Sequence, residues 1–379
     1  MDAGFFDAHI ERRDTASFKW DMYGEDELPL WVADMDFASP PPVVEALEAR
    51  AAHGVFGYAL TTCSLVEAIA AHFERRYGWR IEEEWIVWLP SVVPGLNLAC
   101  DAFAAPGEAV MTVTPVYPPF LSAPSNRERR LITVPAGLVD GRWELPLDGM
   151  EAAVTPDTRV LLFCHPHNPL GRVWRRDEIE AVLDFCRRHD LVLVSDEIHC
   201  DLILDDLAHV PAATLAGPGD AGRIVTLSSP SKTYNLPGLN YAFAVVPDEE
   251  ARRRFVRPSK GLLPFPGCFA VAAAEAAYRE GGEWHTALLD YLRGNRDALE
   301  AFVAAELPRV KMTHVEATYL AWLDVRELGL EDPAAACRSA GVALSAGAAF
   351  GDPAYLRLNF GCPRATLEEA LRRLTAVLR

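Results

Sequence analysis

The sequence predicts an α/β fold: a mostly parallel central sheet with helices on both faces, joined to a smaller α+β domain. Three observations predict it. Short runs of Val, Ile and Leu alternate with helical stretches through the middle of the chain. Those runs are continuously apolar, as strands covered on both faces must be. From about residue 285 the order changes to long helices followed by two separate strand patterns.

The strand candidates are "WIVWLP" (85–90), "AVMTVTP" (109–115), "RVLLFCHP" (159–166), "LVLVSDEI" (191–198) and "RIVTLSS" (223–229). A helical stretch, "GLNLACDAFAA", follows the first. Between the third and fourth, "RRDEIEAVLDFCRRHD" repeats Ile179, Val182, Leu183 and Cys186 at helical spacing. Its acids come early and its arginines late, which suits the helix dipole. The Pro/Gly-rich "PSKGLLPFPG" (258–267) marks a hinge, and "ATYLAWLDV" and "YLRLNFGCP" are the two late strands. The expected division is a large domain over 45–280 and a small one formed by 1–44 with 281–379.

With 379 residues, half of them apolar, the chain has enough material for a substantial core. A formal charge of −18 argues against nucleic-acid binding, which calls for a basic patch. "MDAGFFDAHIERRD" lacks the basic-then-apolar order of a secretory signal, and no apolar run is long enough to span a bilayer. A cytoplasmic protein without a membrane partner is expected. The eight cysteines form no C-x-x-C pair and sit mostly in contexts such as "LLFC", which predicts buried, reduced thiols. "CHPHN" and "DEIHCD" lack zinc spacing, so no metal is expected, and His165, His167 and His209 are expected to be structural.

In sheets of this kind ligands gather at the carboxyl ends of the strands. "LSSPSKTYNLPGLN" (227–240) puts a single lysine, Lys232, just there, after three serines and a proline. A lysine shielded from water can lose its proton and bond covalently to a carbonyl cofactor. Pyridoxal 5′-phosphate (PLP) makes further demands: a carboxylate for its ring nitrogen, a donor at its phenolic oxygen and an aromatic on its face. Its phosphate needs hydroxyls and a helix N-terminus. Asp196 is the candidate carboxylate. Asn168 and His199 are candidates for the phenolic edge, and Tyr117 for the ring face. Ser229 and Ser231 could reach the phosphate, together with the Ser91 hydroxyl and the amides of Val92 and Val93, where Pro94 marks a helix start. Taken singly, most of these have ordinary structural readings; their joint order favours the cofactor.

"WVADMDF", "HGVFGY", "CHPHNPLGRVW", "VSDEIHCDLIL", "SPSKTYNLPGL" and "YLRLNFGCPR" follow one another in the order found in the MalY/PatB family, and the resemblance covers nearly the whole chain. These are PLP-dependent cystathionine β-lyases (C–S lyases) of the class I/II aminotransferase superfamily, fold type I. The resemblance implies that Lys232 holds PLP and shuttles the substrate Cα proton, with Asp196 at the ring nitrogen. Asn168 and His199 would then lie near the ring oxygen, and Tyr117 would stack. It also implies that Arg357 grips the substrate α-carboxylate as a bidentate fork, helped by the backbone around Ala33 and by Asn168. Tyr58 would reach across a homodimer interface to the phosphate in the neighbouring subunit.

Two positions depart from the family pattern, Pro118 replacing a second tyrosine and Ser91 a common glycine; Asn240, where aspartate-type aminotransferases often carry arginine, is compatible with the lyases. The implied reaction is α,β-elimination from an S-substituted L-cysteine, cystathionine or another S-conjugate, to thiol, pyruvate and ammonia. Three alternatives stay open at this point. One is an aminotransferase; another is a natural-product enzyme that decarboxylates or oxidatively deaminates a cysteine S-conjugate. The third is a PLP-binding regulator.

Overall fold

A computed structural model describes residues 3–217 and 219–379. Seven strands form its central sheet. In chain order they are β1 (Ile86–Leu89), β2 (Ala109–Thr114), β3 (Arg130–Pro135), β4 (Thr158–Cys164), β5 (Val192–Asp196), β6 (Ile224–Ser228) and β7 (Ala242–Val245). Their spatial order is β1-β7-β6-β5-β4-β2-β3. The pairs from β6 through β3 are all parallel, while β7 runs against both β1 and β6. The α/β class with a mostly parallel sheet is therefore as the sequence predicts.

All five apolar runs become strands of this sheet, and two further strands join them. β3 is an edge strand in which only Val134 is buried, the other five residues being at least partly exposed, so it carries no continuous apolar run. β7 is fully buried but only four residues long, too short to stand out by periodicity.

The helix Val92–Phe103 lies against the sheet, and Gly95 sets how close it comes. A Cβ at Gly95 would stand 2.9 Å from a Leu227 methyl and 3.0 Å from one of Leu89, so a side chain there would push the helix off β1 and β6. The helix begins at Val92, two residues before Pro94. The helix Arg176–Arg188 buries Ile179, Val182, Leu183 and Cys186, the stripe its spacing predicts.

The two late strand patterns form Leu320–Asp324 and Tyr355–Asn359, the central antiparallel pair of a four-stranded sheet. The N-terminal Leu28–Pro29 pairs in parallel with Val342–Ala343, which ties the two ends of the chain together. All eight cysteines are free thiols; Cys63 is exposed and Cys268 partly so, the other six being buried. No described helix is long and apolar enough to cross a membrane.

Candidate active site

Five strands deliver side chains to one cavity of about 180 Å3 at their carboxyl ends. β1 ends at Leu89, so Ser91 and the first residues of the following helix, Val92 and Val93, stand at the mouth. Ser91 occupies the N-cap position but makes no side-chain cap, so its hydroxyl is not consumed by the helix. Tyr117 follows β2, and Asn168 follows β4. Asp196 is the last residue of β5, paired in register with Cys164 on one side and Leu227 on the other. Ser231 and Lys232 follow β6. With His199 and Ala33, these residues line the same cavity.

Lys232 Nζ donates to the Ala33 carbonyl at 2.5 Å. Burial pulls its pKa down to about 8; Arg357 lowers it further, while Asp34 and Asp196 act in the opposite sense. A substantial neutral fraction near neutrality is what a covalent or base role needs. Burial raises the Asp196 carboxyl to about 7, against a hydrogen bond from the Ile198 amide at 3.1 Å and the Lys232 charge. Among the described residues that amide is the only donor to the carboxylate, so a buried acid faces the cavity without a cationic side chain bonded to it.

Arg357 is buried on Tyr355–Asn359, where it pairs with Trp322. One of its Nη atoms donates to Asn168 Oδ1 at 3.1 Å; the other donates to the Trp31 carbonyl at 2.7 Å and reaches Ser345 Oγ at 3.3 Å. The Phe350 ring backs the guanidinium, 4.7 Å from its carbon. Its Nε is buried with no partner among the described residues. Burial with no carboxylate in contact lowers its pKa to about 10. A buried guanidinium that spends its bonds on neutral oxygens and keeps a free donor is arranged for an anion that the protein does not itself supply.

His199 Nδ1 also lacks a partner, and burial with nearby Lys232 and Arg357 pushes the ring's pKa down to about 3, so it is neutral. Burial raises the Tyr117 hydroxyl pKa. The donor set therefore fits PLP. Lys232 could make the covalent bond, and Asp196 is an acid that a protonated ring nitrogen would satisfy. His199 and the Tyr241 hydroxyl are unpartnered polar groups at the wall, and a helix start without a side-chain cap suits the phosphate.

Three predicted residues lie outside the lining of this cavity: Arg357, which stands in the wall of a neighbouring one, Ser229 and Tyr58. Ser229 sits behind Ser231, its hydroxyl within 2.6 Å of the Tyr241 carbonyl and 2.8 Å of Ser231 Oγ. Tyr58 is fully exposed on the loop between helices Pro41–His53 and Cys63–Tyr77. His165, His167 and His209 bond the Val210 carbonyl, the Pro115 carbonyl and Glu197 respectively, and none lines the cavity.

Sequence reasoning missed Tyr241, whose buried hydroxyl lines the cavity, and Asn235. Asn235 accepts from the Met35 amide at 2.9 Å and donates to the carbonyls of Met35 and Phe37 at 2.9 and 2.8 Å, which pins the loop bearing Ala33. It sits at φ 56°, a conformation asparagine tolerates better than most residues. The signal was present in "SKTYN", but a side chain bonding backbone 200 positions away leaves no local trace. The same loop is held from its other side. Asp36 takes Lys19 at 2.8 Å, Arg12 at 2.6 Å and Trp20 Nε1 at 2.8 Å. Asn359 donates to the Val32 and Asp34 carbonyls, both at 2.6 Å.

The sequence pattern of the class I and II aminotransferases matches residues 25–374. The chain belongs to that family. Within it the chain is similar to cystathionine beta-lyase PatB of Bacillus subtilis (strain 168), 38% identical over 385 residues covering 98% of this chain and 99% of that one. Among solved structures it resembles OvoB, with a TM-score of 0.96 and 45% identity over 98% of both chains. It also resembles cystalysin from Treponema denticola, a structure that contains PLP, with a TM-score of 0.94 and 31% identity over 98% of both chains. This aminotransferase-family chain thus shares its full length with the MalY/PatB relatives, and no described residue group has the make-up of a metal site.

Proposed function

We propose that this protein is a PLP-dependent carbon–sulfur β-lyase that performs α,β-elimination on an S-substituted L-cysteine, releasing thiol, pyruvate and ammonia. The observation that carries the proposal is the meeting of Lys232 and Asp196 in one cavity beside Arg357, whose Nε is buried with no partner among the described residues. The full-length similarity to PatB, named a cystathionine beta-lyase, supports elimination over transamination.

When bound, PLP supplies an electron-withdrawing ring that stabilises negative charge at the substrate Cα. Lys232 would hold the cofactor and, once released by the incoming amine, carry the proton at Cα. Asp196 would keep the ring nitrogen protonated, with Asn168 and His199 near the ring oxygen and Tyr117 on the ring face. Ser91, Val92, Val93 and Ser231 would form the phosphate side, with Ser229 behind Ser231. Arg357 would orient the substrate by its carboxylate, so that the Cα proton faces Lys232 and the thiolate can leave from Cβ.

The homodimer belongs to the same proposal. Val55, Phe56, Tyr58 and Leu60 are all more than half exposed on one loop, an apolar density unusual for a free surface. Phe56 packs on Phe269, and Leu262 and Phe265, a few residues earlier in the chain, are also exposed. A second copy covering this patch would bring Tyr58 toward the partner's phosphate site. We also assign a large domain to 45–280 and a small one to 1–44 with 281–379.

The test is to incubate the holoenzyme with cystathionine and other cysteine thioethers. Pyruvate plus free thiol is expected. Stoichiometric conversion of the cofactor to its amine form, reversed by a keto acid and without pyruvate, would overturn the proposal in favour of transamination.

A further inference from the structure

Past Tyr117 lies a second cavity of about 530 Å3, and Tyr117 and Arg357 both stand in its wall. A substrate with its carboxylate on Arg357 and its Cα toward Lys232 would send its sulfur substituent this way. The composition of the wall bears on what that substituent is.

One side is aromatic and comes from the N-terminal segment. Phe18 and Trp31 have ring centroids 5.0 Å apart, and Tyr23 meets Trp31 edge-on at 5.5 Å. Phe18 keeps 61% of its surface exposed, leaving much of its ring free for a ligand. Pro118 also lines the cavity, in place of the hydroxyl-bearing ring of the family pattern.

The wall has two charged groups besides Arg357, and each already makes a contact within the protein. Asp332 Oδ1 accepts from the Ala335 amide at 2.9 Å as a helix cap. Arg338 donates to Glu27 at 2.9 Å and lies over the Tyr23 ring, 4.7 Å from its centroid. The far half of cystathionine carries an ammonium and a carboxylate, which would have to compete with these contacts for Asp332 and Arg338. A flat ring, in contrast, gains edge or offset contacts beyond its area on this kind of wall.

We infer that the cysteine thioethers this site favours carry a flat aromatic group on sulfur rather than the amino-acid half of cystathionine. The inference rests on the lyase proposal above. The test measures kcat/KM of the holoenzyme for S-benzyl-L-cysteine, S-butyl-L-cysteine and L-cystathionine by pyruvate release. S-benzyl-L-cysteine is expected to exceed each of the others by about tenfold, which corresponds to ~1.4 kcal/mol. Phe18→Ala and Tyr23→Ala should each lower the benzyl-to-butyl ratio several-fold. Pyruvate release with cystathionine or the butyl thioether preferred, or with a ratio unmoved by both variants, overturns the inference and leaves the lyase proposal standing. No pyruvate from any of the three overturns the lyase proposal, and the inference with it.

Discussion

Arg357 and Asn168 are joined by a 3.1 Å hydrogen bond, and this contact ties the small antiparallel sheet to the loop after β4. The same guanidinium keeps a buried, unpartnered Nε. Arg357→Lys should therefore preserve charge while losing the fork. We expect kcat/KM to fall about 10²-fold, chiefly through KM, since hydrogen bonds to charged groups contribute ~1.5–3 kcal/mol each. Steady-state kinetics check it; an unchanged KM counts against the carboxylate role.

Lys232 titrates near 8 because burial disfavours its charged form. Only the neutral amine attacks an aldehyde. In protein stripped of cofactor, the rate of PLP recapture should rise about tenfold per pH step of one below that point and level off above it. Absorbance-monitored reloading reads this directly. A rate still climbing at pH 10 would show an unperturbed amine. Lys232→Ala should reduce turnover by at least about 10²–10⁴-fold, the usual worth of acid–base help.

Asp196 presents the opposite sign. Its pKa is about 7 in the folded chain and about 3.8 when unperturbed, so between these values the folded state binds more protons. Stability of the cofactor-free protein should then fall as pH rises across that window. Asp196→Asn removes the buried charge and should stabilise the cofactor-free protein at pH 8 by on the order of 1–3 kcal/mol, read as a raised Tm, with the gain vanishing near pH 4. The same variant should bind PLP more weakly. A cofactor-free Tm that drops at pH 8 would contradict an unpaired acid at this position.

Asn235 makes three hydrogen bonds to the 35–37 backbone from a positive φ. Asn235→Ala loses the bonds and strains the backbone, for an expected ~2–4 kcal/mol of stability together with a raised KM. Asn235→Gly relieves the φ and should recover only the smaller part. Denaturant midpoints of the two variants separate the contributions.

Much of the fold is legible in the sequence. Five continuous apolar runs gave five strands of one sheet, because a strand covered on both faces must be apolar along its whole length. The edge strand Arg130–Pro135 and the four-residue Ala242–Val245 escaped, one half-solvated and the other too short for a pattern. Ten of the thirteen predicted site residues line the cavity of Lys232, while Arg357 stands in the neighbouring one and Ser229 and Tyr58 lie elsewhere.

By itself, then, the sequence determined the chemistry on offer: which lysine, which carboxylate, and their places at strand ends, all set by local alternation and residue type. Tertiary structure alone decided how those groups are tuned. Burial brings Lys232 and Asp196 to within about one pH step of each other, at about 8 and about 7. The unpaired Nε of Arg357, the aromatic wall of Phe18, Tyr23 and Trp31 and the clamp of Asn235 on the Ala33 loop likewise appear only in the folded chain. Desolvation and hydrogen-bond satisfaction depend on neighbours that are remote in the chain, and the linear order of residues does not record them.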